Sequence, residues 1–124
     1  MRRTLAMLLA LSGVVPAHAA DPTPGVITVA AFLYLPGDTE VPELPLVVEQ
    51  GASLTFTSAD TVGGFHSIVS EDLRADATPL FWAGQIGPGQ VSEVNGVPGL
   101  EPGTYRFYCS NHPDMNGLLA VAPA

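Results

Sequence analysis

Gly103-Thr104-Tyr105-Arg106-Phe107-Tyr108-Cys109-Ser110-Asn111-His112-Pro113-Asp114-Met115-Asn116-Gly117 reads as a strand that runs directly into a cluster of soft donors. A period of two turns Tyr105, Phe107 and Cys109 to one face and Arg106 and Tyr108 to the other, so the cysteine extends a core-facing row. Beyond it, the spacing Cys-x2-His-x2-Met gathers a thiolate, an imidazole and a thioether within seven residues.

The same alternation recurs upstream. Leu54 and Phe56, set among Ser53, Thr55 and Thr57, form a second inward row, and after Gly63-Gly64-Phe65 the residues His66 and Ile68 share a face. His66 can therefore point toward the interior end that Cys109 reaches. Candidate strands are Val26 to Leu35, Leu46 to Glu49, Ser53 to Ser58, His66 to Ser70, Gln90 to Asn95, Thr104 to Cys109 and Leu118 to Ala122. Short β-branched and aromatic runs separated by Gly, Pro, Asn and Asp predict an all-β sandwich or barrel of about seven to eight strands. Pro36 to Pro45 is too proline-rich for a central strand and reads as a surface connection. Ser70 to Ala77 has room for one helical turn. Phe81 and Trp82, ahead of the turn Gly87-Pro88-Gly89, are expected to pack in the core.

Toward the N-terminus, Met1-Arg2-Arg3, the apolar run Leu5 to Val15 and the small-x-small pattern Ala17-His18-Ala19 predict a signal peptide over residues 1–19. Residues 20–25 read as a flexible lead and 26–124 as one folded domain. The apolar run falls short of the roughly 20 residues of a spanning helix, and nothing later approaches that length, so no integral membrane segment is expected. The product is expected to be exported and soluble, in the periplasm or outside the cell. Arg2-Arg3 leaves the export route open. The remaining 105 residues hold two arginines, no lysine and twelve acidic residues, a formal charge of −10. That balance argues against nucleic acid and anionic membrane surfaces as partners. It suits a soluble protein whose partner, if charge steers the encounter, carries a basic docking face, or one whose acidity serves solubility alone; a monomer is expected.

Cys109 is the only cysteine of the chain, and beyond residue 19 Met115 is the only methionine and His66 and His112 the only histidines. Individually, a lone cysteine is ordinarily a small buried hydrophobe and a lone methionine a gap filler. Jointly, every soft sulfur and every imidazole of the exported chain would have to converge by accident. An exported protein with a single cysteine cannot form an internal disulfide, and metal ligation would account for keeping the thiol. Two histidines, one cysteine and one weak methionine sulfur are the donors of a mononuclear type 1 copper site. His66, Cys109, His112 and Met115 are the predicted metal ligands.

With those residues quoted, the chain resembles the cupredoxins, the blue copper proteins, over nearly all of residues 26–122. Its seven-residue ligand loop, with Pro113 after the histidine, is most similar to that of the amicyanins, and plastocyanins and pseudoazurins have a longer gap before the methionine. The resemblance implies a Greek-key β-sandwich, a tyrosine corner at Tyr105, and one copper ion at one end of the sandwich. It also implies that His112 lies near the surface as the electron port while His66 is more enclosed. Two positions depart from the pattern. Ser67 stands where many cupredoxins have an asparagine linking the ligand segments. Asn111 stands where amicyanins and plastocyanins have proline, so it has a backbone N–H that they lack. Asn111 N–H is expected to give the Cys109 sulfur a second hydrogen bond beside one from Ser67 N–H, raising the reduction potential.

The expected function is electron transfer by Cu(II)/Cu(I) cycling with a redox partner protein such as a cytochrome, oxidase, reductase or dehydrogenase. A copper carrier or chaperone is the alternative. An enzyme is not expected. Multicopper oxidases and copper nitrite reductases need further histidine clusters, a dinuclear copper centre needs two bridging cysteines, and a catalytic zinc site would leave Met115 without a purpose and no general base in evidence.

Overall fold

The computed structural model describes residues 22–30, 33–36, 45–60 and 64–124. The expected signal peptide, most of the Pro36 to Pro45 connection, and Gly63 lie outside them. Nine strands are present among the described residues: β1 (Gly25–Ala30), β2 (Leu33–Pro36), β3 (Leu46–Glu49), β4 (Leu54–Ser58), β5 (His66–Ser70), β6 (Trp82–Ile86), β7 (Val91–Glu93), β8 (Gly103–Cys109) and β9 (His112–Ala122). They form a five-stranded sheet in the order β3-β9-β8-β5-β6 and a four-stranded sheet in the order β2-β1-β4-β7. The sandwich is the expected all-β architecture. Among the described residues no helix is long and apolar enough to cross a membrane.

Period-two burial builds the core. In β4, Leu54, Phe56 and Ser58 are buried and Thr55 and Thr57 only partly so. In β8, Phe107 and Cys109 are buried while Arg106 is exposed. Phe56, Phe81, Phe107, Ile27, Leu54, Ile68 and Leu119 fill the space between the sheets, each contributing about 1.5–3 kcal/mol by leaving water. Tyr34 meets Phe107 edge-on, with ring centroids 4.8 Å apart. Its hydroxyl crosses the core to donate to the backbone carbonyl of Ser67 in the opposite sheet. Tyr105 OH donates to the Glu101 carbonyl four residues upstream at 2.6 Å, the expected tyrosine corner.

Four expectations require correction. The run Val26 to Leu35 is two antiparallel strands, β1 and β2, paired from Ile27↔Pro36 to Ala30↔Leu33. No helical turn occurs between Ser70 and Ala77, where a bridge Leu73↔Pro79 and bonds from Arg74 N–H to the Thr78 carbonyl and from Ala77 N–H to the Arg74 carbonyl form a loop. Trp82 to Ile86 is a strand that sequence reading missed, because its burial does not alternate. Phe81 is buried as expected, but Trp82 is 48% exposed on this edge strand and is not a core residue.

Topology brings three chain segments to one end of the larger sheet. Strand β5 begins at His66, antiparallel β8 ends at Cys109, and β9 begins at His112 after the two-residue turn Ser110-Asn111.

Candidate metal centre

Register places the donors. In the β8–β9 hairpin His112 pairs with Cys109, and the next pair is Asn116 with Tyr108, so Pro113, Asp114 and Met115 form a wide bulge. A bulge bends its strand and re-aims side chains. Here Met115 is turned inward and buried at 4% exposure, between exposed Asp114 and Asn116. His112 is half-buried and, with Asn111, Pro113, Asp114 and Met115, lines an open cleft of about 400 Å³.

His66 and Cys109 are fully buried, and the ligating atoms of His66, Cys109 and His112 lie within 4.8 Å of one another. Cys109 Sγ stands 3.6 Å from His112 Nδ1, and the two imidazole centroids are 5.0 Å apart. His66 Nε2 lies 2.8 Å from Asp60 Oδ2, a carboxylate only 11% exposed. That contact directs Nδ1 of His66 to the cluster, in the manner of a carboxylate that orients a metal-bound histidine. Sequence reading missed Asp60. The only available signal was an acid in the turn six residues before His66, which looks like any solvated loop carboxylate.

Ser67 supports the cysteine sulfur, its N–H donating at 3.4 Å and its Oγ lying at 3.9 Å. The Ser67 N–H donor was expected. The Asn111 N–H was not found among the sulfur's donors; Asn111 instead uses its side-chain amide, donating to the Phe65 carbonyl at 3.1 Å and to Gln85 Oε1 at 2.7 Å. Burial raises the Tyr34 hydroxyl well above the ordinary tyrosine pKa, and the nearby Cys109 adds to the effect by charge and hydrogen bonding.

A fully buried thiol and two imidazoles, one fixed by a carboxylate, with a buried thioether on the same loop, fit the donor set of type 1 copper. Donors are soft, tightly grouped and largely withdrawn from water.

Two sheets with this donor cluster at one end have the cupredoxin fold. Among solved structures the chain is similar to a reduced tryptophan-to-tyrosine variant of amicyanin, at 24% identity and a TM-score of 0.56, covering 77% of this chain and 79% of that one. It is also similar to the Cu(I) form of a methionine-to-alanine variant of amicyanin, at 22% identity and TM-score 0.56, covering 79% and 81%. An oxidised proline-to-alanine variant of amicyanin gives the same identity, TM-score and coverage. No protein-family profile matches the chain, and no curated protein does. The likeness is one of fold.

Proposed function

We propose that this protein is a small exported electron carrier that holds one copper ion on His66, Cys109, His112 and Met115. The observation that carries the reading is the convergence of His66, Cys109 and His112 within 4.8 Å, two of them fully buried. Bound copper would supply one-electron cycling between Cu(II) and Cu(I). The chain's own residues do the rest. Asp60 orients the His66 ring, Ser67 N–H stabilises the thiolate of Cys109, and the bulge at Pro113 to Met115 turns the thioether inward. His112, half-buried beside the cleft, is the side chain through which a docked partner contacts the site. Complete burial of the Cys109 thiol favours retention of the ion over delivery to another protein.

The same reading takes residues 1–19 as a signal peptide, 20–25 as a lead and 26–124 as the working domain. It takes the product as a soluble periplasmic or extracellular monomer, not an enzyme, whose strongly acidic surface steers a redox partner with a basic docking face. Adding Cu(II) to the purified protein tests the site. An intense blue band is expected that bleaches on reduction and vanishes in Cys109→Ala. Colourless protein carrying zinc overturns the reading.

A further inference from the structure

The structure gives the two ligand-bearing segments a third point of attachment. Between β5 and β8 the backbone ladder is short, with register pairs only at Val69↔Tyr108 and Ser70↔Phe107. Toward the site the ladder stops, and side chains connect the segments. Ser67 Oγ lies 2.8 Å from Ser110 Oγ and accepts the Ser110 N–H at 3.0 Å. The larger connection comes from β6, which lies on the other side of β5.

Strand β6 pairs with β5 at His66↔Ile86 and then at Ile68↔Ala83, so three steps on β6 match two on β5. The extra residue is a β-bulge at Gly84-Gln85, opposite Ser67. Both bulge residues are exposed, in breach of the alternation, so Gln85 is re-aimed. Its carboxamide meets the ligand turn. Gln85 Nε2 donates to Ser110 Oγ at 3.1 Å and to Asn111 Oδ1 at 3.2 Å, and Gln85 Oε1 accepts from Asn111 Nδ2 at 2.7 Å. Asn111 Nδ2 also donates to the carbonyl of Phe65, the residue before His66. Two amides thus form a reciprocal pair that joins Phe65-His66 to Ser110-Asn111-His112, using an asparagine of the ligand turn and a glutamine that the bulge presents.

We propose that Gln85 is a positioning residue for the metal centre, the bulge-presented half of an amide clamp that holds the Cys109-to-His112 turn against the His66 segment. The inference rests on the copper reading above. A turn held in this way keeps its donor geometry whether or not a metal is bound. Each exposed hydrogen bond is individually worth only about 0.5–1.5 kcal/mol against water, but the reciprocal pair orders one turn for several bonds. Its effect falls on the site, because Gln85 lies outside the core.

The test compares the copper-loaded full chain with Gln85→Ala, Asn111→Ala and the double variant. Copper release to excess chelator and the Cu(II) electron paramagnetic resonance spectrum are measured on the loaded proteins, and amide hydrogen exchange at Ser110 to His112 on the apo-proteins. Gln85→Ala is expected to speed copper loss about tenfold, equivalent to about 1.4 kcal/mol, to broaden the Cu(II) spectrum, and to speed exchange in the apo-protein turn. The double variant is expected to lose less than the two single losses combined, because either substitution alone already removes the reciprocal Gln85–Asn111 pair. Gln85→Glu keeps the acceptor for Asn111 Nδ2 but loses both donor bonds, and should fall between wild type and Gln85→Ala. Wild-type release, spectrum and exchange in Gln85→Ala overturn the proposal, as do effects that simply add in the double variant. If wild type binds no copper the metal reading fails, and apo-protein exchange still decides the clamp.

Discussion

Gly117→Ala probes the packing that carries Cys109. Gly117 pairs with Phe107 across the β8–β9 hairpin, and a Cβ at Gly117 would lie 2.3, 2.7 and 2.9 Å from three atoms of the Phe107 ring. Carbon atoms ordinarily approach to about 3.5–4.0 Å. Retreat of the ring is blocked, because Phe107 is buried with Tyr34 at 4.8 Å and Phe81 at 6.1 Å between ring centroids. The constraint is space rather than backbone conformation. Overpacking of a core costs about 1–3 kcal/mol, and a collision this close, against a ring with no room to move, belongs at the upper end, about 3 kcal/mol. For a domain of this size, about 4–8 °C of Tm per kcal/mol gives a fall of roughly 12–24 °C. Urea and thermal unfolding of the apo-protein, followed by Trp82 fluorescence, measure it. Phe107→Leu removes the colliding ring edge, so the double variant should be less destabilised than the two single losses combined. A Gly117→Ala protein within about 0.5 kcal/mol of wild type, or an additive cycle, refutes the collision.

Burial raises the Tyr34 hydroxyl, so the folded state keeps its proton after the unfolded chain, with tyrosine pKa near 10, has released it. The associated stability is complete below about pH 10 and falls by about 1.4 kcal/mol per pH unit above it; Tyr34→Phe should flatten that alkaline loss in urea titrations. Asp60→Ala removes the carboxylate 2.8 Å from His66 Nε2 and should weaken Cu(II) binding about 10- to 100-fold in chelator competition. Asp60→Asn, which keeps an acceptor, should lose less. Tyr105→Phe deletes the corner bond to the Glu101 carbonyl and should cost about 1 kcal/mol in urea unfolding with the copper absorption unchanged.

The donors were legible in the sequence because rarity and spacing act together. Cys109, His112 and Met115 crowd into one loop, and alternation in β5 and β8 aims His66 and Cys109 to the same end. A strand with clean two-residue alternation, such as Leu54–Ser58, was legible from its pattern. Strand β6 was not, since its bulge at Gly84-Gln85 interrupts the pattern that identifies a strand. Trp82 was misread because aromatic character suggests burial, whereas its place on an edge strand decides exposure. Asp60 reaches His66 from six residues upstream, where it looks like any loop carboxylate, and Gln85 reaches Asn111 across 26 residues from an irregular strand, so local pattern marks neither.

Ser67 and Cys109 meet across 42 residues of chain, and on the proposed copper reading that separation would order the events of metal capture. Before the sandwich closes, the proposed ligands Cys109, His112 and Met115 would form a local half-site, while His66 is a distant loop closure away. Such closures dominate the folding time of β-sandwiches. An ion added to the refolding chain would be held first by the local sulfurs and imidazole, then completed by His66 when β5 docks on β8. Colour development in a stopped-flow experiment would time that docking, so the chromophore doubles as a clock for the last long-range step of folding.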